Sequence, residues 1–340
     1  MSERVLVTGI TGFTAKHIAL NLLGKGYHVR GTLRTPKRAN QIRQTLQTNG
    51  ADISGLSFTE ANLDADAGWT EAASGCAFVL HVASPFPLEQ PRDREALVPQ
   101  ARQGALRVLD AARAAEVKRI VFTSSMSALM YRANQPPEIM VTEDDWTDPE
   151  WDRCTPYIVS KTRAERAVWE WAKETDWEQR LAVVNPGFIL GPTLDGRTNT
   201  SLNVIKLIMT GAYPAVPPVE YAIVDVRDLA ELHVRAMTVP EAGGRRLVGT
   251  ANSLSMTEMG RVLCKAFPGY CETIPSRTLP GLLVRFLANF NPTMKTVVPD
   301  IGLVALGDNA YVTEITGVEF RPAEDAVCAA GQSLIDHSVV

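Results

Sequence analysis

Residues 4–15 read RVLVTGITGFTA, and from Phe13 the chain continues as FTAKHIALNLLGKG. A run of apolar and β-branched residues, RVLVT, predicts a short strand. Three small residues, Gly9, Gly12 and Ala15, follow at three-residue spacing, and the amphipathic stretch behind them predicts a helix that ends at glycine. Small residues at these points let backbone N–H groups and a helix N-terminus approach a pyrophosphate, which any larger side chain would block. A glycine triplet by itself marks many ordinary turns. Here it sits inside the first strand–helix unit, and that context gives it weight.

Working outward, the same alternation repeats. YHVRGTLR, LSFTEA, CAFVLHVA, VKRIVFTSS and RLAVVNP predict further strands, and the regions Val98 to Ala115 and Pro156 to Lys173 predict helices between them. Continuously apolar strands separated by helices imply a parallel sheet covered on both faces, so the expected class is α/β, a Rossmann-type doubly wound sheet. After Pro186 the segments NPGFILGPTLDG and GAYPAVPPVEY are rich in Pro and Gly, as loops that wrap a pocket are. AIVDVRDLAELHVRAM then resumes a strand–helix pattern and is expected to rejoin the sheet. The division expected is 1–186 plus about 222–250 as the dinucleotide-binding domain. About 187–221 and 251–340 then form a smaller, mostly helical substrate lobe.

The end of the second strand distinguishes nicotinamide cofactors. An acid there would bond the ribose 2′-hydroxyl of NAD and repel a 2′-phosphate. Between Tyr27 and Gln41 no acid occurs; Arg30, Arg34, Lys37 and Arg38 stand there instead. Arg34 falls where the strand should end, and a guanidinium suits a phosphate monoester, so NADP(H) is expected, with Lys37 as a second contact.

Of the seven tyrosines, Tyr157 alone has a lysine four residues on, in YIVSK. On a helix that spacing puts Tyr157 and Lys161 on one face. An ammonium beside a phenol favours the phenolate and would bring its pKa down towards working pH, as a general acid/base at a carbonyl or alcohol oxygen requires. Upstream, VFTSSMS ends a strand with Ser124 and Ser125, at the sheet edge that faces the ligand crevice. A serine hydroxyl there can hold a substrate oxygen as charge develops on it.

Composition narrows the rest. The 340 residues carry 34 Lys plus Arg against 38 acids, a net charge of −4, which offers no broad footprint for nucleic acid. No signal peptide is read at the start, and no stretch approaches the roughly 18 apolar residues of a membrane helix. LPGLLVRFLANF, interrupted by Arg285, is expected as a packed helix. The five cysteines lack CxxC spacing and read as reduced thiols of a cytoplasmic protein with no metal site.

Taken together, TGITGFTA, the paired serines and YIVSK resemble the marks of the extended short-chain dehydrogenases/reductases. GYHVRGTLR, HVASP, NPGFILGP and VDVRDLAELHVRAM are similar to the branch holding dihydroflavonol 4-reductase, cinnamoyl-CoA reductase and aldehyde/ketone reductases. The resemblance spans almost the whole chain. It implies Tyr157 as acid/base, Lys161 on the nicotinamide ribose and Ser125 orienting the carbonyl. It further implies that Thr8, Gly9, Gly12, Phe13 and Thr14 cradle the pyrophosphate, and that Arg34 holds the 2′-phosphate. Asn62 and Leu63, where relatives have Asp-Leu, would meet adenine. Ala83, Ser84, Pro186, Phe188 and Ile189 would line the nicotinamide. In place of the polar residue that flavonoid reductases carry beyond the serine, the chain has MSALM, which implies a simpler aldehyde or ketone. Phe86, Met126 and Phe188 would form its pocket wall.

The expected reaction is hydride transfer from NADPH to a carbonyl, reversible as alcohol oxidation, in a monomer or homodimer. Two alternatives stay open. A nucleotide-sugar epimerase or dehydratase would retain its NAD, and a cofactor-sensing regulator on the same fold would need no catalytic triad.

Overall fold

The computed structural model describes residues 2–84 and 91–340, with only the backbone of Pro292 and Thr293. Phe86, one of the expected pocket residues, lies outside the described residues. The chain opens with β1 (Arg4–Val7), α1 (Phe13–Gly24), β2 (His28–Leu33), α2 (Ala39–Thr48), β3 (Leu56–Glu60), α3 (Trp69–Ala73) and β4 (Phe78–His81). It continues through α4 (Val98–Ala114), β5 (Arg119–Thr123), β6 (Glu138–Val141), α5 (Pro156–Glu174) and β7 (Leu181–Pro186). Then come β8 (Phe188–Leu190), α6 (Thr200–Met209), β9 (Glu220–Asp225), α7 (Val226–Thr238), β10 (Arg246–Gly249) and β11 (Ser253–Ser255). The last stretch holds α8 (Met256–Ala266), α9 (Gly281–Leu287), α10 (Pro292–Thr296), β12 (Val304–Gly307), α11 (Ala310–Thr316) and α12 (Ala323–Asp336).

Among the described residues, seven strands form the large sheet in the order β3-β2-β1-β4-β5-β7-β10, every pair parallel. Strand periodicity divides β1 between two cores. Val5 and Val7 point into a cluster with Ile18 and Leu22 of α1 and Leu229 and Leu232 of α7. Leu6 points the other way, into a cluster with Leu109 of α4 and Val168 and Trp171 of α5. Helices therefore cover both faces, which is why these strands read as apolar throughout. The order reverses between β1 and β4, the switch point at which doubly wound sheets open a crevice.

Beyond β7 the sequence expectation needs adjusting. β9 does not rejoin the large sheet; it pairs in parallel with β8 and antiparallel with β11. The seventh strand is β10, paired with β7. The divergence begins at Gly187, where a Cβ would collide with the Ala222 carbonyl of β9. Only glycine lets β9 lie so close to the strand end. A third core, with Leu202 and Ile205 of α6, Met259 and Leu263 of α8, and Val327 and Ala330 of α12, fills the second part of the molecule. β12 pairs with β6 and ties the late chain back to the loop after Ser125.

Two further expectations are corrected. Cys264 and Cys271 form a disulfide across the turn that ends α8, their Cα atoms 4.7 Å apart, while Cys76, Cys154 and Cys328 are free. The chain reverses at Pro268–Tyr270, and this brings together two cysteines whose spacing matches no redox motif. The LPGLLVRFLANF segment is not packed all round: Val284 of α9 is buried, but Leu282, Leu283, Phe286 and Phe290 are exposed. No helix among the described residues is long and apolar enough to cross a membrane.

Candidate active site

The glycine turn is shaped by close approach. Gly9 has φ +65°, and a Cβ on it would lie 3.0 Å from the Cβ of Ala83, at the end of β4. A Cβ on Gly12 would come within 3.2 Å of the Gly9 carbonyl. Thr8, wholly buried, braces the turn. Its Oγ1 accepts from the N–H groups of Val82 and Ala83, each at 3.0 Å, and lies 2.8 Å from Nδ1 of His81. β1 and β4 are thus stitched together at the switch point, the Gly9 N–H is taken by Thr32 Oγ1 and the Gly12 N–H by the Gly9 carbonyl, and the N-terminus of α1 opens onto the crevice.

A cavity of about 750 Å³ runs along this turn. Gly9, Gly12, Phe13 and Thr14 line it, as do Asn62 and Leu63 after β3, and Ala83 and Ser84 after β4. The volume and the glycine-built turn fit a dinucleotide. At the β2 end the wall is Arg34 and Arg38, whereas Lys37 is exposed and not part of the lining. Arg38, one residue further on, lines the cavity where the sequence reading had put Lys37. Arg30 is used elsewhere, its guanidinium donating to the carbonyls of Glu71, Ala72 and Ser74 and tying off the end of α3.

The second cluster lies at the ends of β5 and β7. Ser125 caps a short 3-10 turn, its hydroxyl accepting from the Ser127 N–H at 3.1 Å. Tyr157 enters on the first turn of α5, which Thr155 caps by accepting from the Ile158 N–H. The Tyr157 and Ser125 side chains are hydrogen-bonded to one another. Burial raises the Tyr157 phenol above its ordinary value, and the Ser125 bond draws it only part of the way back. The phenol therefore stands above its ordinary value, not below it as the Tyr–Lys spacing predicted: burial outweighs the Ser125 hydrogen bond, and the Lys161 ammonium is turned to the Thr123 and Ser124 carbonyls. Lys161, one helical turn on, donates to the carbonyls of Thr123 at 3.2 Å and Ser124 at 3.4 Å. Burial brings its pKa down to about 8, against the opposing pull of Glu165.

Sequence reasoning missed what lies behind this triad. Glu165, in a stretch that looks like a surface helix face, is wholly buried. It accepts from Asn185 Nδ2 at 2.8 Å, from Arg246 Nε at 2.6 Å and from the Ser124 hydroxyl. Arg246 also stacks on Trp146, its Cζ 3.8 Å from the ring centroid. The only sequence signal was the helical spacing Tyr157, Lys161, Glu165, which puts all three near one face. His81 was missed as well. It is fully buried beside Thr8, and burial, with Lys161 nearby, brings its imidazole down to about 3.

Of the remaining expected residues, Met126 is packed with Leu129, Tyr131 and Ile158 beneath the serine turn. Pro186 ends β7, Ile189 is half-buried against the first core, and Phe188 stacks on Tyr221 at 4.5 Å. Tyr131, six residues after Ser125, donates to the buried carboxylate of Asp300 at 2.5 Å.

This chain, with a glycine turn at a switch point and a serine–tyrosine–lysine cluster at the same sheet edge, is matched by a family profile over residues 5–248, described as the NAD dependent epimerase/dehydratase family. The chain belongs to that family, the extended short-chain dehydrogenases/reductases. Within it, the chain is 38% identical over 274 residues to cinnamoyl-CoA reductase 1 of Oryza sativa subsp. japonica, covering 80% of this chain and 78% of that protein. Tetraketide alpha-pyrone reductase 2 of Arabidopsis thaliana is 33% identical over 79% of this chain and 84% of its own length. Among solved structures, yeast methylglyoxal/isovaleraldehyde reductase Gre2, complexed with NADPH, superposes with a TM-score of 0.81. It is 27% identical, and the match covers 99% of each chain. This extended short-chain enzyme is accordingly an oxidoreductase of the NAD(P)-dependent type.

Proposed function

We propose that the protein is an NADPH-dependent reductase of aldehyde or ketone carbonyls, reversible as an alcohol dehydrogenase. The observation that carries this reading is the Tyr157 phenol, half-buried on the first turn of α5 and hydrogen-bonded to Ser125. A phenol is a far stronger acid than the alcohol being formed, so its proton can pass to a nascent alkoxide. The reductase names of the rice and yeast relatives, and the NADPH in the yeast structure, support it.

In this reading residues 1–186 with about 222–250 bind the cofactor, and about 187–221 with 251–340 shape the substrate side. Thr8, Gly9 and Gly12 would shape the turn that seats the pyrophosphate, and Phe13 and Thr14, at the N-terminus of α1, would offer it their backbone amides. Arg34 and Arg38 would take the 2′-phosphate, and Asn62 and Leu63 the adenine. Ala83, Ser84, Pro186, Phe188 and Ile189 would border the nicotinamide. When bound, the reduced nicotinamide supplies the hydride. Ser125 then fixes the carbonyl oxygen, Tyr157 gives that oxygen its proton, and Lys161 grips the ribose while its backbone anchors hold it in place. The Arg34–Arg38 end disfavours an epimerase that retains NAD. A small carbonyl substrate goes with this assignment.

The test is a screen of NADPH consumption across aryl ketones, keto esters, short aldehydes and diketones, repeated with NADH. Turnover that favours NADPH is expected. Stoichiometric NAD retained through purification, with no consumption of NADPH, would overturn the assignment.

A further inference from the structure

Four donors converge on the two carboxylate oxygens of Glu165, which is wholly buried two helical turns beyond Tyr157 on α5. Arg246 Nε reaches Oε1 at 2.6 Å, with Trp169 Nε1 at 3.4 Å. Oε2 accepts from the Ser124 hydroxyl and from Asn185 Nδ2, the latter at 2.8 Å. A carboxylate accepts about four hydrogen bonds and donates none, so this set fills it. The Arg246 half of the arrangement is a buried ion pair that neutralises both charges. The Ser124–Asn185 half has no charge to neutralise and leads elsewhere.

It leads to the main chain at the end of β5. Asn185 uses the same amide group to hold the Ser125 carbonyl at 3.2 Å. Oε2 therefore grips Ser124 by its side chain and Ser125 through Asn185. The same short segment serves the chemistry. The carbonyls of Thr123 and Ser124 take the Lys161 ammonium at 3.2 and 3.4 Å, and the Ser125 side chain meets that of Tyr157. A turn of the Ser124–Ser125 peptide would move the serine hydroxyl and the lysine anchor together. A displacement of about 1 Å at reacting groups can cost on the order of 10²-fold in rate.

We propose that Glu165 is a positioning residue for carbonyl reduction: acting through Ser124 and Asn185, it fixes the Thr123–Ser125 segment that presents the Ser125 hydroxyl and holds the Lys161 ammonium. The inference rests on the reductase reading and adds to it a residue that acts only through others. The Glu165 charge also favours the protonated form of Lys161, which burial pulls down to about 8. The other titratable groups around Lys161 are Tyr157 on the same helix and His81 of β4, whose imidazole is neutral with a pKa of about 3. Arg246 of β10 stands beyond Glu165.

The experiment takes a carbonyl that the wild type reduces and measures kcat, KM for NADPH and the pH profile of Glu165→Gln and Ser124→Ala, with urea denaturation of each. Glutamine keeps the shape of Glu165 but sets an N–H against one of the donors. Per folded molecule, Glu165→Gln should lower kcat about 10- to 100-fold and change KM for NADPH less than about threefold. With the carboxylate charge gone, its alkaline limb should move about one pH unit below 8. Ser124→Ala keeps every charge, so it should lower kcat about three- to tenfold with the limb left in place. If Glu165→Gln does not fold, Ser124→Ala decides by itself: a lowered kcat supports the inference and an unchanged one overturns it. Lost urea stability with kcat and limb unchanged in both variants would leave Glu165 a structural ion-pair partner and overturn it as well. A wild type inert towards every carbonyl tried would instead overturn the reductase reading itself.

Discussion

Lys161, Glu165, Asn185 and Arg246 are buried at the β5–β7 end of the sheet, whereas Arg34, exposed, and Arg38, half-buried, line the cavity at the β2 end. In the first group every charge has a partner inside the protein: Glu165 takes Arg246, Asn185 and Ser124, and Lys161 takes two backbone carbonyls. In the second, like charges gather, and neither guanidinium has an ion-pair partner among the described residues. The chemistry end is thus assembled by folding, at the cost of desolvating charges. The recognition end is finished only by ligand. Changes at the first should alter turnover and stability; changes at the second should alter affinity and leave the fold alone.

The largest expected effect is at Tyr157. Tyr157→Phe should lower turnover by about 10³-fold, within the range of general acid catalysis, with the dissociation constant for NADPH nearly unchanged. Retained turnover would remove the tyrosine from the mechanism. Next is Glu165→Leu, which leaves the buried Arg246 guanidinium uncompensated and should cost about 3–5 kcal/mol in urea denaturation. If that variant is as stable as the wild type, the buried network is not the structural element the comparison makes it. At the other end, Arg34→Glu should raise KM for NADPH roughly 10- to 100-fold while changing KM for NADH little, and urea midpoints should not move. Parallel changes in the two KM values would break the contrast between the ends.

A smaller effect is expected from pH. Lys161 loses its proton as pH rises through about 8, whereas Tyr157 stays protonated well beyond that. The reduction rate should therefore fall along a single alkaline limb near 8; a limb at or above the ordinary tyrosine range would reassign it to the phenol. Stability shifts on the acid side. His17, His81 and His233 are buried with pKa values of about 4, 3 and 4. Below the ordinary histidine value of 6.5 the unfolded chain takes up protons that the folded one refuses, so stability falls as pH drops from about 6.5 towards 4. The loss should be on the order of 2 kcal/mol per histidine at pH 5, read as a lower midpoint in denaturant.

How far this was legible in the sequence follows the range of the interactions. β1, the glycine turn and α1 are encoded within some twenty residues, and the strand and helix patterns that follow them are equally local. The Tyr157–Lys161 pair is one helical turn. β10 was missed because RLVG is four residues long and sits behind Gly243 and Gly244, so only its pairing with β7 makes it a strand. Glu165 reads as a surface charge until Arg246, 81 residues away, is brought against it. Arg38 could not be told from Lys37 because the choice depends on the phase of a single short turn. The disulfide depends on a chain reversal at Pro268–Tyr270 that no cysteine spacing announces. The loop from Pro192 to Asn199 is held by Lys16, His17 and Asn49, all of them distant in sequence.

The outward stripe of Leu282, Leu283, Phe286 and Phe290 has a consequence at the bench. It is an apolar ridge, and ridges of this kind govern how a protein travels through purification and storage. High-salt steps that salt out apolar surface will drive copies together there, and resins with aliphatic or phenyl groups will hold the protein through it. Polar replacements at Phe286 and Phe290, whose rings pack edge-on against each other at 5.5 Å, are where formulation work on this protein should begin.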